Sequence, residues 1–127
     1  MTEMAKIKKF IKKAKYDNIT QYTNGFKVKI PGKERVIDLY IILKESSISF
    51  RCEGLKISGG DLCGIFEHLL RLNNTSLMAK WGLNEDRAVF VGYERLLKDL
   101  DFSEFFGATE IVIGAYEEHM ESLKKYL

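Results

Sequence analysis

The stretch Val36-Ile-Asp-Leu-Tyr-Ile-Ile-Leu43 decides the fold of this chain of 127 residues. Every second residue from Ile37 to Leu43 is apolar, while Asp38 interrupts the opposite face, which is the pattern of a long central strand with one face toward a core. Residues 26–30 and 48–52 show the same alternation on either side of this stretch. Because short polar turns separate the three segments, the sequence predicts an antiparallel meander of three strands.

A helix follows the meander. Ser58 and Asp61 fit a capping box. In this motif the serine hydroxyl accepts a hydrogen bond from an unpaired backbone amide of the first turn, and the carboxylate three residues later reaches back to the serine amide. Asn73-Asn74 are suited to end the helix, because asparagine tolerates the left-handed backbone conformation. Between these signals, apolar residues at helical spacing predict one face that packs on the rest of the chain. They are Leu62, Ile65, Phe66, Leu69 and Leu70.

A second pair of strands and a long helix complete the chain. Residues 77–81 and 89–93 alternate in hydropathy around a polar turn, which indicates a hairpin. Asp101 with Glu104, or Ser103 alone, can cap the helix that comes next. Its apolar positions recur at steps of three, four and seven, which is typical of a helix. The β-branched run 111–113 could instead form a strand, but we favour a helix because the helical period continues on both sides of this run. These positions are Phe105, Phe106, Thr109, Val112, Ile113, Tyr116, Met120, Leu123 and Leu127.

The first segment is a lysine-rich amphipathic helix. Apolar residues from Met4 to Ala14 fall at helical spacing, and lysines fill most of the remaining positions. Repulsion among these lysines disfavours an isolated helix, so its apolar stripe must dock on the rest of the fold. The predicted order is α-β-β-β-α-β-β-α, an α+β fold with a five-stranded antiparallel sheet and flanking helices. We expect residues 1–127 to form a single domain.

Composition narrows the classes of function. The apolar fraction of 46% is sufficient for a core, and 30% charged residues are ordinary for a solvated surface. No apolar run reaches the roughly 18 residues of a membrane span. No secretory signal is visible, so we expect a cytoplasmic protein with Cys52 and Cys63 as reduced thiols. The net charge is only +2, but residues 1–35 hold ten basic and three acidic side chains.

No catalytic or metal-ligating constellation stands out. His68 and His119 are the two histidines, and neither has a partner at metal-ligand spacing. Cys63 and His68 are five residues apart on the predicted helix and therefore off a common face. The Gly59-Gly60 pair lacks the lysine of a phosphate-binding loop. We therefore expect no enzymatic activity, no cofactor and no metal.

Five segments stand out between Leu62 and Phe106, and they are Leu69-Leu70-Arg71-Leu72-Asn73, Leu77-Met-Ala-Lys-Trp81-Gly82, Asn84-Glu85-Asp86, Ala88-Val-Phe-Val91 and Asp101-Phe-Ser-Glu104. With these segments, the stretch from Leu62 to Phe106 resembles the type III secretion chaperone-like fold, and its YbjN-like branch in particular. The order of elements predicted above is also the order of that family. The resemblance implies a non-enzymatic module that binds protein segments or other domains, often as a homodimer.

We expect first a module that captures a protein partner at a strand edge or at an apolar patch. The strand at 25–30 is the candidate edge, because Lys27 and Lys29 would hinder self-pairing. Trp81 and Tyr93 would mark an interface if they lie on a sheet face without helices. The middle helix would supply a homodimer interface through Leu62, Phe66 and Leu69.

The alternative is a nucleic-acid-associated protein that uses the first helix. Lysine side chains on its exposed face would contact phosphates, and binding would weaken steeply with salt. Phe10 or Tyr16 could stack on bases. The lysines concerned are Lys8, Lys9, Lys12 and Lys13.

Overall fold

The computed structural model describes residues 1–126 as three α-helices and one six-stranded antiparallel sheet. It confirms the predicted α+β class and adds one strand, so that the order becomes α-β-β-β-β-α-β-β-α. The strands lie side by side in the order β1-β2-β3-β4-β6-β5. The elements are α1 (Glu3–Lys13), β1 (Asp17–Tyr22), β2 (Gly25–Pro31), β3 (Val36–Leu43), β4 (Ser47–Lys56), α2 (Leu62–Thr75), β5 (Lys80–Leu83), β6 (Ala88–Leu96), α3 (Phe102–Leu123) and a short 3₁₀ turn at Lys124–Tyr126.

The added strand, β1, changes which strand is the edge of the sheet. It pairs with β2 and carries an irregular register between Asp17 and Thr20, where Asn18 adopts a φ of 53°. The prediction that residues 25–30 form an edge is therefore wrong, because β2 lies between β1 and β3. Lys27 and Lys29 face solvent from an internal strand, and β1 takes the edge position.

One face of the sheet carries the core. α3 packs across β4 and β6, and α1 docks beside α3 through Ile7 and Ile11, which are fully buried. Alternate residues of the strands meet these helices, as the period of two requires. The side chains at the centre of this core include Val28, Leu39, Ile41, Ile48, Phe50, Val91, Phe105 and Val112.

The structure confirms the predicted N-cap of α3 and corrects the predicted N-cap of α2. At α3 the Asp101 carboxylate accepts from the Glu104 amide at 2.8 Å, and Glu104 accepts from the Asp101 amide at 3.2 Å, which confirms the capping box. At α2 the N-cap is Asp61 itself, whose carboxylate accepts from the Gly64 amide at 2.9 Å, so Ser58 does not cap this helix.

Two predicted boundaries also shift. α2 continues through Asn73-Asn74 to Thr75, so the asparagines do not end it. β5 begins at Lys80, whereas Leu77 and Met78 belong to the connection before it. Leu127, which was included in the apolar repeat of the last helix, lies outside the described residues.

Candidate functional site

The structure places Trp81 and Tyr93 on the helix-covered face of the sheet. Trp81 pairs with the buried Val91, and Tyr93 pairs with the buried Phe50, so both share the core side. Trp81 is only 5% exposed, and Tyr93 is half-buried against the core. Trp81 and Tyr93 therefore do not lie on a sheet face without helices, which is the arrangement in which they would have marked an interface.

The middle helix α2 divides its apolar residues between the core and solvent. Leu69 is 6% exposed and Leu62 is half-buried, so both mainly pack inward. In contrast Phe66 is 41% and Leu70 is 70% exposed, and the spacing i, i+4 places them on one flank of the helix. This exposed flank continues in sequence with two apolar residues of the connection to β5. The α2 apolar surface, as we use the term, consists of Phe66, Leu70, Leu77 and Met78.

The opposite flank of α2 is held against the end of the chain. His68 Nδ1 lies 3.0 Å from the Tyr126 hydroxyl, and His68 Nε2 lies 3.4 Å from the Ser122 hydroxyl. Burial, with a smaller contribution from the charge of Lys125, holds the pKa of His68 below its usual value. These contacts hold one side of α2, while the flank that carries Phe66 is exposed.

An asparagine of α2 closes the outer edge of β5. Asn73 Nδ2 donates to the Trp81 carbonyl oxygen at 2.9 Å, and Asn73 Oδ1 accepts from the Trp81 amide at 2.7 Å. One side-chain amide thus replaces a neighbouring strand at that residue. The sequence predicts that Asn73 helps to end α2, whereas in the structure its side chain binds the backbone of β5. Of the two edges of the sheet, β1 is the one without such a cover from α2.

The predicted lysine face of α1 is present. Lys9, Lys12 and Lys13 are exposed and Lys8 is half-buried, with Lys8 Nζ 3.4 Å from the Gln21 side-chain oxygen. Among residues 1–126, none of the ion pairs includes a lysine of α1. The four positive charges are therefore not neutralised by described carboxylates.

Aromatic rings lie beside this lysine face. Lys13 Nζ is 4.5 Å from the centroid of the Phe102 ring, and Lys6 Nζ is 5.8 Å from the Phe10 ring. Tyr16, which was a candidate for base stacking, instead places its hydroxyl 2.6 Å from the Thr109 hydroxyl.

The two thiols differ in their exposure to solvent. Burial raises the pKa of Cys52 to about 12, whereas Cys63 is exposed on α2. In the described part of the chain no three histidine, cysteine, aspartate or glutamate side chains are grouped to hold a metal ion.

Within residues 1–126, no helix has both the length and the apolar character that a membrane crossing requires.

The chain shares its fold with YbjN and with type III secretion chaperones. It matches YbjN from E. coli with a TM-score of 0.69 at 13% identity, over 93% of this chain and 91% of that one. It matches a chain of the heterodimeric ExoU–SpcU complex from the type III secretion system of Pseudomonas aeruginosa with a TM-score of 0.64 at 16% identity, over 92% and 96%. This result confirms the resemblance of fold.

A third match is the Yersinia pestis type III secretion chaperone SycH, whose structure includes a stable fragment of YscM2. The TM-score is 0.59 at 10% identity, over 99% of this chain and 100% of that one. By sequence, no protein-family model and no curated protein matches the chain.

Proposed function

We propose that this chain is a non-enzymatic, chaperone-like interaction module that binds a protein partner through the α2 apolar surface. The observation that carries the proposal is the exposure of four apolar side chains within thirteen residues. Phe66 is 41%, Leu70 is 70%, Leu77 is 94% and Met78 is 51% exposed. Burying one such side chain completely is worth roughly 1.5–3 kcal/mol, so a partner that covers this surface gains substantial free energy.

The fold comparisons support a protein as the partner. The structures of similar fold include SycH in complex with a fragment of YscM2 and a chain of the ExoU–SpcU heterodimer. Transferred to this chain, that precedent favours a protein segment or a partner domain over a small substrate.

A second copy of the chain is the partner that α2 fits best by symmetry. In a twofold dimer, each α2 would lay Phe66 and Leu70 against the same pair of its counterpart. The ion pair between Arg71 Nη2 and Glu67 Oε1, at 2.7 Å, lies on the same helix and would form part of a polar rim.

The test is a double substitution on α2, Phe66→Glu with Leu70→Glu. Light scattering reports the mass of the purified protein, and affinity capture with mass spectrometry identifies partners after a high-salt wash. The wild type should self-associate or retain a defined partner, and the double variant should lose it, because two buried charges are costly to desolvate.

The matched control is Val36→Glu with Leu96→Glu, which places the same charges on residues that are 60% and 73% exposed outside the α2 apolar surface. This control should keep the association. Unchanged association of the α2 variant, or equal loss in both variants, would refute the assignment of the surface. Circular dichroism of each variant establishes that it is folded.

The lysine face of α1 favours nucleic acid as a second candidate partner. Its support is that Lys8, Lys9, Lys12 and Lys13 form no ion pair within residues 1–126. Replacing all four with glutamine should weaken binding to a single-stranded oligonucleotide and reduce the slope of log affinity against log salt by about three units, taking about 0.7 units per phosphate contact. A wild type that does not bind the oligonucleotide at low salt would eliminate this candidate.

A further inference from the structure

We propose that Arg51 forms a carboxylate-binding site on the sheet face opposite the helices, and that the site takes a small carboxylic acid with an apolar body. This site shares only Met78 with the α2 apolar surface and does not depend on the proposed function. It is built from β4, β5 and β6, whose register brings the residues together.

The guanidinium of Arg51 is held in place by an aromatic ring. Its Cζ atom lies 3.8 Å from the centroid of the Phe90 ring, which is the stacked geometry of a cation–π contact. Phe90 in turn lies over β5, because a Cβ atom added at Gly82 would be only 2.8 Å from the Phe90 ring. The plane of the guanidinium is therefore fixed before any ligand arrives, which reduces the entropy lost on binding.

Arg51 has donors that the described chain does not use. Its Nε atom is buried and has no hydrogen-bond partner. Among residues 1–126, no ion pair includes Arg51. A buried, charged donor without an acceptor is unusual, and a planar fork of N–H groups matches the two oxygens of a carboxylate.

A glycine leaves room for the ligand beside this arginine. Gly92 on β6 pairs with Arg51 on one side and with Lys80 on the other, and it contributes no side chain to the surface between them. The result is a hollow of about 340 Å³, open to solvent, whose walls include Phe90 and Met78. Its size and mixed lining suit a small molecule with one charged end and one apolar end.

The other charges around the hollow are already engaged. Glu94 accepts from Lys44 and from Ser47, each at 2.9 Å, and these bonds lower the pKa of Glu94 and hold its carboxylate toward Lys44. Lys80 Nζ donates to the Ser76 carbonyl oxygen at 3.0 Å, at the end of α2. Arg51 is thus the cation of this hollow whose buried Nε donor has no partner among residues 1–126.

A second hollow borders the opposite side of the Arg51–Phe90 pair, and it favours the assignment of the ligand to the Gly92 side. That hollow includes Glu85 and Asp86, whose negative charges would repel a carboxylate. An anion that approaches Arg51 is therefore directed toward Gly92.

The experiment uses benzoate as the probe and benzamide as its neutral counterpart of the same shape. Titration of the ¹⁵N-labelled chain is followed by nuclear magnetic resonance at the Arg51 Nε–Hε group and the Gly92 amide. Benzoate should shift both signals saturably with a Kd on the order of a few millimolar, which is the range for a ligand of this size. Benzamide should bind at least about tenfold more weakly, because it cannot pair its charge with the guanidinium.

Two variants and a control extend the test. Arg51→Gln should weaken benzoate binding at least about tenfold, and Arg51→Lys should recover only part of the loss, because a point charge cannot form two parallel hydrogen bonds. Arg87→Gln removes the same charge from an exposed residue outside the hollow and should leave the Kd unchanged. Equal binding of benzamide and benzoate to the wild type, the absence of saturable shifts, or an unaltered Kd in Arg51→Gln would each overturn the proposal.

Discussion

Replacing Asn73 with alanine should lower the free energy of unfolding by about 2 kcal/mol, because it removes both hydrogen bonds that close the edge of β5. The Asn73 side chain donates to the Trp81 carbonyl at 2.9 Å and accepts from the Trp81 amide at 2.7 Å. Each backbone group left without a partner costs about 1–3 kcal/mol when buried. Asn73 is half-buried, so water reaches part of the vacated space and the lower end of that range applies to each group.

The single tryptophan of the chain reports directly on this site. Urea denaturation followed by Trp81 fluorescence gives the free energy of unfolding, and far-ultraviolet circular dichroism tests whether the transition is two-state. Asn74→Ala is the control, because Asn74 is the adjacent residue of the same helix, is exposed and makes no side-chain hydrogen bond among those described for residues 1–126.

Both substitutions raise helix propensity by a similar amount, so their difference isolates the edge contact. The reasoning is refuted if the two variants unfold within about 0.5 kcal/mol of each other, which is the scatter expected for surface substitutions.

Two further predictions concern the α3 cap and the thiols. Asp101→Ala should cost about 1 kcal/mol of stability in the same denaturation assay, because the Glu104 amide loses its acceptor, while Ser103→Ala should have little effect; equal losses would contradict the capping box. Iodoacetamide at about pH 8 should alkylate the exposed Cys63 and spare Cys52, whose pKa burial raises to about 12. Intact-mass measurement should show one adduct on the folded chain and two in urea, and two adducts without denaturant would contradict the burial of Cys52.

Long apolar periods in the sequence predicted their elements correctly. β3 and α3 were both found, and α3 formed despite its β-branched run at 111–113 because the helical period continues on either side. β1 was missed because Asp17–Tyr22 has almost no buried residue and therefore no alternation to detect. An edge strand that is solvated on both faces is specified by its hydrogen bonds to β2, and these are not visible as a pattern of hydropathy.

The candidate surfaces depended on contacts that a helical period does not encode. Phe66 and Leu69 appear equivalent in the apolar stripe of α2, yet Leu69 is 6% and Phe66 is 41% exposed. The direction from which α2 meets β5 decides this difference, and that direction is a property of tertiary packing. The stack of Arg51 on Phe90 likewise requires the register of β4 against β6, which local sequence does not fix.

α2 is longer than β5, the edge strand that it contacts. A helix of 14 residues extends about 21 Å, whereas a strand of four residues extends about 13 Å. β5 and the 3₁₀ turn at Lys124–Tyr126 both contact α2, whose Ile65 and Leu69 are buried. Among residues 1–126 no strand lies beyond β5, and Phe66 and Leu70 remain exposed. Asn73 prevents a partner from extending the sheet at Trp81, because it already occupies both backbone groups there. A protein that binds at this end of the sheet therefore cannot pair with the backbone of Trp81 and is directed toward side-chain contacts with α2, whereas β1 at the opposite edge has no such cover from α2.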